Sequence, residues 1–330
     1  MKALVTGATG FLGSHIVERL VQKGDDVRAL VRPSSDTSLL EEWGVELVSG
    51  DVEDPKTLAP AMDGVEVLYH TAARVTDWGA WGQFKSTTID GTRNVMAAAV
   101  QAGVPRVLQV STDGVYALSA FDGLVTEDSP LERRFGWLDY YRRSKLAAER
   151  IARDHAERGK LGLTVVRPGL IFGERDRVMF PGIVAFLKGS SAAYLGRGEN
   201  SLPYVYVGDV ADACILGGTS DAAIGQTYNV VSDEPVTQKQ VFDTIADAAG
   251  LPRPKRHMPT RLVYSIAMAM EAWCVFARRR KAHPDLTRFA VILLAYDFRE
   301  DASKLRRELG WAPEVPMTEA VRRCVDALEM

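Results

Sequence analysis

Thr6-Gly7-Ala8-Thr9-Gly10-Phe11-Leu12-Gly13 follows the apolar run KALVT (2–6) directly and opens the helical pattern FLGSHIVERLVQKG (11–24). A glycine-rich motif alone says little; placed between a strand and a helix it is a strong signal for a dinucleotide loop. The first glycines permit a tight turn and a close approach of backbone to a pyrophosphate. The last lets the helix pack against the strand, and N–H groups at the helix start, around Phe11 and Leu12, hold the phosphates. Gly7, Gly10, Phe11, Leu12 and Gly13 are therefore the first candidate cofactor residues. A tight turn with no ligand is the bare alternative, which the strand-to-helix context disfavours.

Outward from this loop the first half of the chain keeps one rhythm. DVRAL (26–30), VELV (45–48), VEVLYH (65–70), RVLQV (106–110) and LTVVRP (163–168) have the short, Val- and Leu-rich character of buried parallel strands. Helical patterns such as TRNVMAAAVQAG (92–103) lie between them, and Gly24 can cap the first helix. Alternation of this kind predicts an α/β fold with a doubly wound parallel Rossmann sheet. The stretches 178–202, 236–280 and 284–330 leave that rhythm and predict a smaller, mostly helical lobe. The chain is expected to return to the sheet at YVYVGDVADACIL (204–216) and TYNVV (227–231). The expected division is 1–169 plus 204–235 for a dinucleotide-binding domain and 170–203 plus 236–330 for a C-terminal substrate lobe.

The bulk numbers agree with a globular protein of this size. The chain has 330 residues, 46% hydrophobic and 25% charged, with a formal net charge of -3, which gives no reason to expect nucleic acid as a partner. Cys214, Cys274 and Cys324 stand far apart in sequence, so each is expected to be a small apolar group, and no metal site is expected. That usage suits a reducing compartment, and the first strand begins at residue 2, so a cytoplasmic protein without a signal peptide is expected. A homodimer is the expected assembly.

Two features bear on chemistry. The second strand runs into Leu30-Val31-Arg32-Pro33-Ser34-Ser35 with no acid before Asp36. An NAD enzyme places an acid there for the ribose 2′-OH, whereas an arginine suits a 2′-phosphate. Arg32 thus favours NADP(H), with NAD(H) still open, because lone arginines on loops are also common as solvated charges. The second feature is Tyr141-Arg142-Arg143-Ser144-Lys145, whose helical spacing puts Tyr141 and Lys145 on one face, one turn apart. A phenol is a poor proton donor or base at neutral pH unless a cation stabilises its anion, and Lys145 can supply that cation and reach a nicotinamide ribose. Tyr140 has Ser144 at the same offset and cannot form the pair.

These residues, with GDV (50–52), HTAA (70–73), VSTDGVY (110–116) and RPGLIFG (167–173), resemble the extended short-chain dehydrogenase/reductase (epimerase/dehydratase) superfamily over nearly the whole chain. The C-terminal part is similar to its 3β-hydroxysteroid dehydrogenase-like branch, with dihydroflavonol reductase-like enzymes as near neighbours. The resemblance implies that Asp51 and Val52 contact the adenine and that Ala72 and Ala73 line the cofactor. It implies that Thr112 bonds the substrate oxygen and that Pro168 through Ile171 meets the nicotinamide end. Thr88 stands where the family has an asparagine, which puts a local hydrogen bond behind the site in doubt.

The resemblance also sorts substrates. Nucleotide-sugar members carry polar phosphate anchors where this chain has Leu170 and Leu202, and a dianion without partners is costly to desolvate. Thr112-Asp113 matches the start of the sugar dehydratases' triplet, but Gly114 replaces its base, which argues against dehydration. Trp78, Trp81, Phe84, Phe121, Trp137 and Phe172 fall in loops the family uses around substrate. Packing accounts for any one of them; as a group they favour a hydrophobic ligand. Interconversion of a ketone and a secondary alcohol on a sterol or long-chain β-keto acid is the expected activity. The alternatives are a nucleotide-sugar epimerase or dehydratase with bound NAD and a non-catalytic NADP(H)-sensing regulator. The apolar stretch 262–277 followed by the basic run 278–281 reads first as a lobe helix with a solvated charged end, with weak, peripheral association with a membrane surface as the alternative.

Overall fold

In the computed structural model, residues 1–277 and 283–329 are described. Six strands from the first half, β1 (Lys2–Thr6), β2 (Asp26–Val31), β3 (Glu46–Ser49), β4 (Val67–His70), β5 (Arg106–Val110) and β6 (Gly162–Pro168), form the central sheet with the Thr227–Val230 strand. From that last strand the order runs β6, β5, β4, β1, β2, β3, all parallel. The order reverses between β1 and β4, and such a switch point leaves a crevice at the carboxyl ends of the strands.

The inner strands are buried on both faces, so they are mostly apolar rather than alternating, while β3 at the sheet edge is partly exposed. Ala3, Val5, Ala29, Tyr69 and Val110 join one core with Ile16, Val17 and Leu20 of the Phe11–Gln22 helix. Leu4, Leu30, Leu68, Val107 and Val165 join another with Val95, Met96 and Ala99 of the Gly91–Ala102 helix. At roughly 25 cal/mol per Å² of apolar surface removed from water, this two-sided burial is the main favourable contribution to the fold.

The expectation of a return to the sheet at 204–216 does not hold. Tyr204–Tyr206 pairs with Leu170–Phe172 in a separate two-stranded ladder, and Val207–Thr219 is a helix. A short, mostly apolar run suits a buried helix as well as a strand. Here Gly217 and Gly218 let the helix lie close to Leu108, Thr164 and Tyr69 of the sheet. The expected return at 227–231 is the strand beside β6.

The remaining chain is mostly helical. Gln238–Ala248 starts with a capping box between Thr237 and Gln240, and Thr260–Phe276, Arg288–Ala295, Ser303–Leu309 and Met317–Glu329 follow. No helix among the described residues is long and apolar enough to cross a membrane. Thr260–Phe276 exposes Leu262, Trp273 and Phe276, while the basic run 278–281 of the surface-association expectation lies outside the described residues.

Candidate active site

Every residue singled out for the cofactor or the chemistry lies at or just beyond the carboxyl end of a strand: the glycine loop after β1, Arg32 after β2, Asp51 and Val52 after β3, Ala72 and Ala73 after β4, and Thr112 after β5. Pro168 closes β6 and Ile171 lies three residues further on. Tyr141 and Lys145 are the exceptions, carried on the helix Tyr140–Gly159, while Phe11, Leu12 and Gly13 open the helix that follows β1.

The glycine loop has no room for side chains. Gly7 has φ of +72°, and a Cβ there would lie 2.6 Å from Thr71 Oγ1. A Cβ on Gly13 would lie 2.1 Å from Gly7 O, so the helix could not start where it does. Gly10 caps the helix without any side-chain acceptor for its first N–H groups, and the first turn holds no acid. Donors left open at a positive helix end, beside backbone stripped of side chains, fit a dinucleotide pyrophosphate.

Arg32 is exposed, and its guanidinium makes no ion pair among the described residues. Asp51 is half-buried with Oδ1 accepting from Glu53 N, and the buried Val52 accepts at its carbonyl from Asn94 Nδ2. The hydrogen bond placed in doubt by Thr88 exists in another form: its hydroxyl accepts from Arg74 N at 2.9 Å. Behind it His70 bridges Thr6 (2.7 Å) and Thr92 (3.0 Å). Burial, with Lys145 adding to it, holds this imidazole down to about 3, so it is neutral.

Tyr141, Thr112 and Lys145 come together. Arg142, one residue after Tyr141, donates through Nε to Gly114 O at 2.6 Å and through Nη2 to Tyr116 O at 2.9 Å. This buried guanidinium fastens the start of the helix, and with it Tyr141, to the turn that begins at Thr112. Burial pushes the phenol up to about 12, Thr112 working against it. Lys145 Nζ donates to Val110 O at 2.7 Å, and burial lowers the ammonium to about 8. In the protein alone the lysine is thus committed to the end of β5, and the lowering of the phenol expected from it is not seen.

One turn beyond Lys145 is Glu149, which the sequence reading did not single out. Its carboxylate accepts from Ser111 Oγ (2.7 Å) and from Arg167 Nη2 (2.6 Å) and Nε (3.1 Å). Burial raises its pKa, but the pairing with Arg167 and the Ser111 bond outweigh that and bring it to about 2. Arg167 also donates to the phenol oxygen of Tyr116, which donates to Asn229 Oδ1 at 2.6 Å. The one-turn step from Lys145 to Glu149 repeats that from Tyr141 to Lys145, the one local signal that could have revealed it.

With this geometry in place, the NAD dependent epimerase/dehydratase family matches residues 3–230. The chain belongs to that family. It is an NAD(P)-dependent enzyme of the extended short-chain dehydrogenase/reductase type. Sterol demethylase protein B of Methylococcus capsulatus is 34% identical, over 95% of this chain and 94% of its own. The 2-alkyl-3-oxoalkanoate reductase of Shewanella oneidensis is 27% identical over 97% and 84%. In fold the chain is similar to the UDP-glucose 4-epimerase of Thermus thermophilus, solved with NAD, at a TM-score of 0.76 and 24% identity over 100% and 99% of the two chains.

On the substrate side, the family enzyme differs from the expectation in detail. Phe84 and Phe172 are fully buried, and Phe121 packs edge-on against Phe298 at 4.4 Å, so all three are core packing. Trp81 remains near the helix start, 5.5 Å from Tyr140 and under the Arg143 guanidinium. Phe289, from the lobe, stands edge-on to Tyr141 at 5.9 Å and was not foreseen. Leu170 and Leu202 are both buried in the main core.

Proposed function

We propose that this enzyme interconverts a ketone and a secondary alcohol on a hydrophobic substrate of the sterol or long-chain β-keto acid type, with NADP(H) as cofactor. The observation that carries the reading is the Tyr141–Lys145 face of one helix, whose start Arg142 fastens to the turn at Thr112 and whose Lys145 is bonded to the end of β5. Residues 1–169 with 204–235 hold the dinucleotide, and the lobe of 170–203 with 236–330 receives the substrate. The dinucleotide, when bound, supplies or accepts the hydride. Gly7, Gly10, Phe11, Leu12 and Gly13 hold its pyrophosphate, Asp51 and Val52 the adenine, Arg32 the 2′-phosphate, and Ala72, Ala73, Pro168 and Ile171 the nicotinamide side.

Tyr141 gives a proton to the substrate oxygen during reduction and takes it back during oxidation. Thr112 orients that oxygen, and Lys145 holds the nicotinamide ribose. Arg142 and the Glu149–Arg167 pair keep these groups in register. Buried leucines at 170 and 202 support an apolar substrate, since neither can serve as a phosphate anchor. Two relatives whose names specify sterol and oxoalkanoate chemistry support the same reading. The exposed Leu262, Trp273 and Phe276 would let the lobe rest on a lipid surface from which such substrates come.

The test is a panel of 3-ketosteroids and long-chain β-keto acids assayed by NADPH consumption, with thermal shifts for UDP-sugars alongside. A ligand that binds only the folded state must raise the melting temperature. Turnover and a rise are expected with the lipids. A rise with a UDP-sugar at micromolar concentration, and none with any lipid, would replace this reading with an epimerase using NAD.

A further inference from the structure

Phe289, in the first turn of the lobe helix Arg288–Ala295, differs from its neighbours in the chain. Leu286, Val291, Ile292, Leu293 and Leu294 all pack into apolar cores. Phe289 joins none of these cores and is only half-buried. Among the described residues its one ring contact is with Tyr141, at 5.9 Å between centroids and 70° between planes. This is the edge-to-face arrangement that aromatic pairs prefer.

Polar groups on the two preceding residues hold the ring in place. Thr287 caps the helix, its hydroxyl accepting from Ala290 N at 3.1 Å and donating to Asp77 Oδ2. Asp77 lies in the segment after β4 and also accepts from His283 Nε2 at 2.6 Å. Arg288 donates through its backbone N to Glu271 Oε1 at 2.8 Å and through Nε to Glu271 Oε2, while its Nη2 donates to Trp137 O at 2.8 Å. Thr287 and Glu271 are buried, so breaking either tie leaves a polar group unpaired away from water. One tie thus ends at the loop after β4 and the other at the segment that enters the Tyr141 helix. A half-buried ring outside every core is held against the catalytic phenol by buried, satisfied polar bonds, which is how a binding surface is kept rigid.

The placement decides what the ring can do. Lys145, on the Tyr141 face of the helix, is bonded to the end of β5, whereas Phe289 meets Tyr141 from the lobe. A substrate oxygen bonded to the phenol stands between the dinucleotide and the lobe, so the groups on its carbon come up against the Phe289 ring. A rigid apolar wall sorts substrates by size, one methylene changing kcat/KM by roughly 10–200-fold.

We propose that Phe289 is a specificity-determining residue whose ring limits the bulk carried beside the reacting carbonyl. Asp77 and Glu271 act through Thr287 and Arg288 and are positioning residues. The proposal rests on the assignment of Tyr141 made above.

Two β-keto acids of one chain length, with and without a 2-alkyl branch, test it by NADPH consumption. Phe289→Ala should raise kcat/KM for the branched over the unbranched acid on the order of tenfold, and Phe289→Trp should lower that ratio. Thr287→Val breaks the tie to Asp77 at nearly constant shape and should move the ratio in the same direction as Phe289→Ala. Thr287→Ser, which keeps the hydroxyl, should restore it. A ratio unchanged in both Phe289 variants overturns the proposal, as does lower stability in urea with the ratio intact, the behaviour of a packing residue. If Phe289→Ala does not fold, Phe289→Leu must raise the ratio. The functional reading fails separately, when a UDP-sugar raises the melting temperature and no lipid does. In that case Phe289→Trp must still reduce the rise, and an undiminished rise overturns the role of Phe289 as well.

Discussion

The cofactor end and the reaction end of this site are built on opposite principles. At the cofactor end, binding groups are backbone N–H donors and open surface around one contiguous motif, 6–13, with Arg32 left exposed at a strand end. At the reaction end each working side chain is fixed by a buried partner from elsewhere in the chain: Lys145 by Val110, the turn at Thr112 by Arg142, and the helix by Glu149 paired to Arg167. The first tolerates the loss of one side chain as the loss of one contact. The second is a network in which removing a member strands another group away from water.

The largest effect should therefore come from the reaction end. Tyr141→Phe removes only the proton donor, so kcat should fall by roughly 10²–10⁴ while dinucleotide binding, followed by fluorescence titration, stays near wild type. Lys145→Met should damage both. Near-normal turnover by the Phe variant would show that the helix serves another purpose.

Next in size is a loss of stability rather than of contact. Arg167→Met leaves Glu149 buried without its main partner and should cost about 3–5 kcal/mol in urea unfolding at neutral pH. A cost below about 1 kcal/mol would show the pair to be dispensable and the contrast between the two ends to be overstated. The same carboxylate sets an acid limit. Its folded value, about 2, is below its ordinary 4.5, so it stabilises the fold fully above pH 4.5 and loses that contribution as pH falls toward 2. The difference corresponds to about 3 kcal/mol, and in Glu149→Gln the unfolding free energy should change less over that window.

What the sequence revealed divides along the same line. The strand limits, the glycine loop and the Tyr141–Lys145 face depend on neighbours within a few residues, where periodicity and steric need can be read directly. Glu149 and Arg167 become neighbours only once the helix carrying the acid has packed against β6. The one-turn step from Lys145 could have placed Glu149 on the same helix face, but no local pattern names a partner that comes from another element. The 204–216 stretch failed for a different reason: a short, mostly apolar run does not distinguish a buried strand from a buried helix. The aromatic set failed because Phe84, Phe121 and Phe172 are as useful to a core as to a pocket.

The smallest effect tests the cofactor end alone. Arg32 follows β2 where an NAD-specific site would hold an acid, and its exposed guanidinium has no ion pair to lose among the described residues. Arg32→Ala should leave unfolding free energy unchanged, because nothing buried depends on the side chain. NADPH affinity should weaken by about 1.5–3 kcal/mol, the usual contribution of a hydrogen bond to a charged group. NADH, which lacks the 2′-phosphate, should bind the variant and wild type alike. The comparison that matters is the ratio of the two losses, measured by titration at fixed ionic strength, since an exposed cation also attracts any anion non-specifically. Equal losses for NADPH and NADH would reduce Arg32 to a general surface charge and remove the basis for NADP(H) preference. A loss confined to NADPH would show that a single unpartnered side chain determines the choice of dinucleotide at the open end of a site whose other end is built from buried pairs.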